Sequence, residues 1–200
     1  MKVIGINASP RKNANTQTLV EGVLQAAAEK GADIQLVNLR ELSINGCLGC
    51  EGCKKHPGKC VQKDDLTPLL QEMASSDAVV MGTPVYWFHV NAQFKMLVDR
   101  LYSFMEFGED PDTGAPTVKS AFPSGKNFVF IISRGDPEPP SMFPQFYDHL
   151  HEWLNLIPLT LGAGRYEMIH QHGADIDRKA ARNDPALLAQ ARQAGAGLLA

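Results

Sequence analysis

Residues Lys2–Thr18, KVIGINASPRKNANTQT, read as a buried strand, a tight polar loop and the start of a helix. Val3, Ile4 and Ile6 form a short β-branched run around Gly5, as expected of a strand covered on both faces. The apolar signal stops at Asn7, and a dense set of hydrogen-bonding side chains follows from Ser9 to Thr18. Helical spacing then begins: Leu19, Val23 and Ala27 repeat at four, as do Val20, Leu24 and Ala28. Asn15 or Thr16 is the expected N-cap. The free N–H groups at a helix start carry partial positive charge and favour anions. Hydroxyls and Arg11 beside them would make a phosphate site, while a capped turn facing water has the same composition. The loop carries neither G-x-G-x-x-G nor G-x-x-x-x-G-K-[ST], which excludes the dinucleotide fingerprint and the P-loop.

Strands and helices alternate outward from this stretch. Lys30-Gly31 ends the first helix, and Ile34, Leu36 and Val37 form a second strand, completing a βαβ unit. Leu66, Leu69, Leu70 and Met73 mark a second helix, entered through Asp64-Asp65 and Thr67-Pro68. Residues 77–82 read as a third strand, residues 83–90 (TPVYWFHV) as an aromatic loop, and Asn91 as the cap of a helix carrying Phe94, Leu97, Val98 and Leu101. Residues 103–124 lack periodicity and are expected to run over the surface, at the rim of a site or a subunit contact. Phe128 to Ile132 is a fourth strand, followed by Ser133-Arg134-Gly135-Asp136 and a Pro-rich loop. A helix is expected from Phe143 to Leu154, with Phe146, Leu150 and Trp153 inward. Leu156 to Leu161 is expected as a fifth strand, at an edge because of Pro158. Residues 162–173 read as a loop, and Asp184-Pro185 opens a last helix to about Leu199. The whole predicts one α/β domain over residues 1–200, a doubly wound parallel sheet of five strands whose ligands sit beyond the strand C-termini.

Composition narrows the function. With 200 residues, 44% hydrophobic content and net charge −3, the chain suits a sizeable core and offers no basic face for nucleic acid or an anionic membrane. No apolar run reaches membrane-spanning length, and the sequence enters its first strand without a signal-peptide pattern, so a cytoplasmic location is expected. All four cysteines, Cys47, Cys50, Cys53 and Cys60, fall in one short segment, 45–61, which points to metal or redox chemistry rather than a disulfide scaffold. His56 lies within that segment, His89 follows the aromatic loop, and His170-x-His172 lacks a carboxylate pattern that would support a metal site.

Ser-Pro-Arg-Lys-x-x-Asn-Thr after the first strand resembles the FMN-phosphate loop of the flavodoxin-like NADPH-dependent FMN reductase family. Gly82-Thr83-Pro84-Val85-Tyr86 resembles that family's isoalloxazine loop, and Asn91 to Lys95 with Asp99-Arg100 resembles its following helix. The resemblance implies a flavodoxin-like sheet of order 2-1-3-4-5 with helices on both faces. It implies FMN as cofactor, NAD(P)H as donor and a small acceptor such as a quinone, a flavin or a xenobiotic, with the flavin carrying the chemistry. Ser9, Arg11, Asn15, Thr16, Gln17 and Thr18 would hold the phosphate. Pro84, Val85, Tyr86 and Trp87 would hold the ring, and Ser133, Arg134, Gly135 and Asp136 would approach its other side. That last loop has one glycine where the family has a Gly-rich loop. The spacing Cys47-x2-Cys50-x2-Cys53-x6-Cys60 is similar to that of the iron–sulfur flavoproteins, which implies a [4Fe-4S] cluster and an electron-carrier alternative with a ferredoxin-like partner. Free thiols, redox-active C-x-x-C and zinc stay open beside it. Family resemblance also implies a homodimer or homotetramer.

Overall fold

The computed structural model describes residues 1–199. In chain order its elements are β1 (Lys2–Asn7), α1 (Asn15–Glu29), β2 (Asp33–Asn38), α2 (Leu66–Ser75), β3 (Ala78–Tyr86), β4 (His89–Val90), α3 (Ala92–Arg100), β5 (Met105–Glu109), β6 (Pro116–Ser120), β7 (Asn127–Ser133), α4 (Pro144–Thr160), β8 (Arg165–Gln171), α5 (Ala180–Asn183) and α6 (Pro185–Gly197). The central sheet runs β2-β1-β3-β7-β8, all parallel, with β4 pairing antiparallel to the end of β3. This is the expected 2-1-3-4-5 order, with the switch point between β1 and β3.

Strand alternation divides the core into two layers. Ile4, Ile6, Val79, Met81, Phe128, Phe130 and Ile132 point to one face, under α2, α3 and α4. Val3, Ala78, Val80, Val129 and Ile131 point to the other, under α1 and α6. The α1 and α6 axes approach closely at Gly195, where a Cβ would stand 2.1 Å from the Val23 carbonyl oxygen. Backbone cannot yield as a side-chain tip can, so Gly195→Val is expected to destabilise the fold by about 1–3 kcal/mol, the usual cost of overpacking. An unchanged urea midpoint would refute that packing.

Several expectations need correction. The fifth strand is Arg165–Gln171, not Leu156 to Leu161, which completes α4. Leu150, Leu154, Ile157 and Leu161 are spaced as one buried helical stripe. Pro158 costs that stripe a single backbone donor near the helix end. β8 lies at the sheet edge, where only Ile169 and Gln171 are buried, so it lacked an apolar signal. The aromatic segment 83–90 is not a loop: β3 continues to Tyr86 and folds back as β4, pairing Val85 with Val90 and Tyr86 with His89. The N-cap of α1 is Ala14, not Asn15 or Thr16, which are its first helical residues. Residues 103–124 form the β5–β6 hairpin, with Phe122 in the core; it borders the cysteine segment. Of the three aromatic and aliphatic side chains expected inward on α4, Leu150 is buried, Trp153 is half-buried, and Phe146 is exposed.

Candidate functional site

The C-terminal ends of β1, β3 and β7 open into a cleft of about 570 Å³, lined by the Ser9–Thr16 loop, Pro84 to Trp87, Ser133 and Gly135. Such a volume falls within the range of cofactor sites. A fourth wall comes from Ala174, Asp175, Arg178 and Lys179 after β8. These four residues carry no motif; only the folding of β8 beside β7 brings them here.

The first loop is internally hydrogen-bonded and donor-rich. The Asn7 side chain accepts from the Ser9 N–H (3.1 Å), and the Ser9 hydroxyl accepts from the Arg11 N–H (3.2 Å). Asn91, whose side chain caps α3 by accepting from the Phe94 N–H, also donates to the Ala8 carbonyl (2.6 Å), tying this loop to β3. No side chain caps α1, so the first N–H groups of the helix remain free toward the cleft. Ser9 and Thr16 are buried polar residues at its base, while Arg11 and Lys12 are exposed at its lip. Gly82 allows this approach, because a Cβ there would lie 2.7 Å from the Thr16 methyl.

Not every predicted residue turns into the cleft. The Gln17 amide accepts from Asn13 N–H and donates to Glu21, and the Thr18 hydroxyl accepts from Arg182 (3.3 Å). Asn15 lines the cleft, and its side chain accepts from the Ala181 N–H (3.2 Å), fastening the last loop. Ser133 and Gly135 face the cleft. Arg134 turns away over Tyr147, and the Asp136 carboxylate accepts from Ser141. The His89 ring lies tilted against Trp153, centroids 4.8 Å apart, away from the cleft lining.

The hairpin joining β3 and β4 is strained. Trp87 and Phe88 both have positive φ, 51° and 62°, at a turn where Asn-Gly is the usual pair. L-residues pay about 1–2 kcal/mol each for that conformation. Phe88 is braced by Phe143, Phe146 and Tyr147, with ring centroids 5.4–6.1 Å away. Trp87, by contrast, is 93% exposed at the mouth of the cleft. The chain thus holds a large apolar side chain in solvent by a strained turn, a pattern associated with binding.

The four cysteines differ in exposure. Cys53 and Cys60 are buried, Cys47 and Cys50 are exposed, and all four thiols are free. Among the described residues no three His, Cys, Asp or Glu side chains are grouped to hold a metal ion. Burial pushes the Cys53 thiol up, against the opposing charge of Lys54. His56 is exposed, as are Lys55, Lys59 and Lys63, while Lys54 lies over the Tyr102 ring at 3.5 Å. What anchors the segment is an ion pair the sequence did not signal. Arg100 is buried and meets both Asp64 oxygens (3.0 and 3.1 Å), the Asn45 carbonyl (3.1 Å) and the Thr67 hydroxyl (2.8 Å).

An open parallel sheet of this order, with a phosphate-type loop and an aromatic hairpin meeting at its switch point, defines a flavodoxin-like protein with a cofactor cleft. A sequence model of the family "NADPH-dependent FMN reductase" matches residues 1–116, and the chain belongs to that family. An iron–sulfur flavoprotein of Methanocaldococcus jannaschii is 45% identical over 100 residues, 50% of this chain and 51% of that protein. One of Archaeoglobus fulgidus is 34% identical over 138 residues, 69% of this chain and 58% of its own length. The matches therefore span little more than half of these relatives. In structure the chain is similar to an NAD(P)H:quinone oxidoreductase from Methanothermobacter marburgensis, with a TM-score of 0.78, 18% identity and coverage of 99% and 98% of the two chains. No helix among the described residues is long and apolar enough to cross a membrane.

Proposed function

We propose that this protein is an FMN-dependent NAD(P)H oxidoreductase that reduces a small acceptor such as a quinone. The observation that carries the reading is the uncapped start of α1, which opens with buried Ser9 and Thr16 into the same cleft as the strained aromatic hairpin. Free N–H groups, hydroxyls and Arg11 suit a phosphate dianion. Pro84, Val85 and Tyr86 offer an apolar wall and backbone polar groups to a flat ring. The donor set and the cleft volume fit FMN, and the family membership supports it.

When bound, FMN would supply the redox chemistry between the nicotinamide donor and the acceptor. The protein's part is to bind and orient. Ser9, Arg11 and Thr16 hold the phosphate end, and Asn15 holds the last loop closed behind it. Ser133 and Gly135 border the opposite side, and Trp87 covers the open mouth. Arg178 and Lys179 at the far lip add positive charge suited to an anionic dinucleotide. The exposed Trp87, Met142, Phe143 and Phe146 form an apolar patch suited to a second copy of the chain, giving a homodimer with both clefts near the interface.

The test is a titration of the purified protein with FMN, followed by NADPH and NADH oxidation with a quinone. A protein that binds no flavin would sink the proposal. A second reading, an iron–sulfur electron carrier working with a ferredoxin, draws on the names of the relatives and the Cys47 to Cys60 spacing. Among the described residues the thiols are not grouped as ligands to a metal ion, so no step is routed through a cluster. Anaerobic purification is expected to give less than one iron per chain by metal and sulfide analysis. Four irons with matching sulfide would favour the carrier.

A further inference from the structure

Beside the cleft, β7, β8 and α4 enclose a second cavity of about 290 Å³ that shares no lining residue with the first. Its polar lining is Arg134, Glu138, Tyr147, Asp148, His151, His170 and His172, over an apolar floor of Ile132, Leu150 and Leu154. The proposed reduction uses none of these side chains.

Arg134 is 7% exposed, and a cation so buried requires a counter-charge. Its Nε and Nη2 donate to the carbonyls of Asp136 (3.3 Å) and Pro137 (2.8 Å), and its guanidinium lies 4.4 Å from the Tyr147 ring centre. The counter-charge is the carboxylate of Glu138, held through one oxygen by Nη2. Guanidinium and carboxylate pair best through two parallel bonds. Among the described residues no hydrogen bond is made by Nη1, and the Glu138 side chain is 58% exposed on a Pro-rich loop. The chain's own carboxylate therefore occupies the site incompletely and from outside.

The remaining lining suits a flat ring. The His151 and His170 rings are stacked, 5.3 Å apart and 18° from parallel, and His172 lies 6.1 Å from His170, with its Nδ1 3.5 Å from Glu138. Burial, then the charges of His151, His172 and Arg134, push His170 down to about 4, so its imidazole is neutral near pH 7. The neutral His170 imidazole presents a ring face and a single donor without adding charge. His151, His170 and His172 do not form a metal site, since no such group is set for an ion among the described residues. An apolar cavity of about 150 Å³ already admits a benzene ring, so this one has room for a ring and one carboxylate. Asp148, exposed at the mouth, works against a second negative charge.

We propose that this cavity is a binding site for a small aromatic monocarboxylate, which displaces Glu138, pairs with Arg134 and lays its ring against the histidines and Tyr147. Arg134 sits between Ser133 and Gly135 of the cleft, so the ligand would flank the electron acceptor. That use rests on the proposed function; the binding itself does not.

The test is an NMR titration of the histidine imidazole signals in the FMN-treated full chain, with benzoate as probe and benzamide as its uncharged counterpart. Benzoate is expected to shift His170 and His172, and benzamide to leave them in place. Glu138→Gln, which removes the tethered competitor, is expected to tighten benzoate by about tenfold, and Arg134→Gln to abolish its binding. Equal responses to the two probes, or an unchanged benzoate affinity in Glu138→Gln, would overturn the assignment. Flavin absorbance read on the same samples separates the two proposals. Benzoate binding without flavin keeps this site and removes the reductase reading. Flavin without a benzoate response removes this site alone.

Discussion

Arg100→Met is expected to cost the fold about 3–5 kcal/mol, the penalty for stranding one partner of a buried ion pair. Asp64 would lose both guanidinium contacts while staying 4% exposed at its side chain. The loss should spread to the cysteine segment, because Arg100 also holds the Asn45 carbonyl and Asp64 accepts from the Asn45 N–H (2.9 Å). Urea denaturation would measure the stability, and thiol labelling of Cys53 and Cys60 would report the segment, both reacting faster in the variant. Asp64→Asn added to Arg100→Met should recover part of the loss, since the stranded charge is then gone. A single variant within 1 kcal/mol of wild type, as order of magnitude for a surface pair, would show that Arg100 does not act as a buried anchor.

The same pair sets an acid limit. Burial alone would raise the Asp64 carboxyl, but the Arg100 hydrogen bond, the Asn45 N–H, the Arg100 charge and the Thr67 N–H outweigh it and hold it below the usual carboxylate range. A group depressed on folding stabilises at pH above its unfolded value, about 3.9. That contribution is lost as pH falls through the lower, folded value. Wild type should therefore lose stability below about pH 4 more steeply than Arg100→Met, whose Asp64 no longer has its main partner.

The second large effect concerns the phosphate loop. Arg11→Ala combined with Thr16→Val removes two donors from the proposed phosphate site while keeping the Thr16 methyl against Gly82. Hydrogen bonds to a charged group are worth about 1.5–3 kcal/mol each, so FMN affinity should fall by about 10²- to 10⁴-fold. Riboflavin, which has the ring but no phosphate, should bind wild type and variant alike. Fluorescence quenching would follow both ligands. Parallel losses for FMN and riboflavin would mean that these residues shape the cleft without meeting a phosphate.

The sheet was legible where strands are buried on both faces. Val3 to Ile6, Val79 to Met81 and Phe128 to Ile132 are continuous apolar runs because each has helices above and below. The first and third loops were legible because their residues follow such strands directly. The edge was not legible. β8 has one strand neighbour, so Arg165 to Glu167 stay polar and exposed, and its apolar signal shrinks to Met168-Ile169. The run Leu156 to Leu161 looked like the missing strand because Pro158 interrupts a helical stripe that α4 nevertheless completes.

By itself, the sequence determined the alternating α/β class and the two loops that meet at the switch point, since periodicity and loop chemistry are local properties of the chain; the strand order came from the family resemblance and is seen directly only in the folded sheet. Tertiary structure alone decided the fourth wall of the cleft, the pairing of Arg100 with Asp64, and the stacking of His151 with His170. Each of those joins residues far apart in the chain, and which of them meet is fixed by how helices and strands pack, an outcome that spacing along the sequence does not encode.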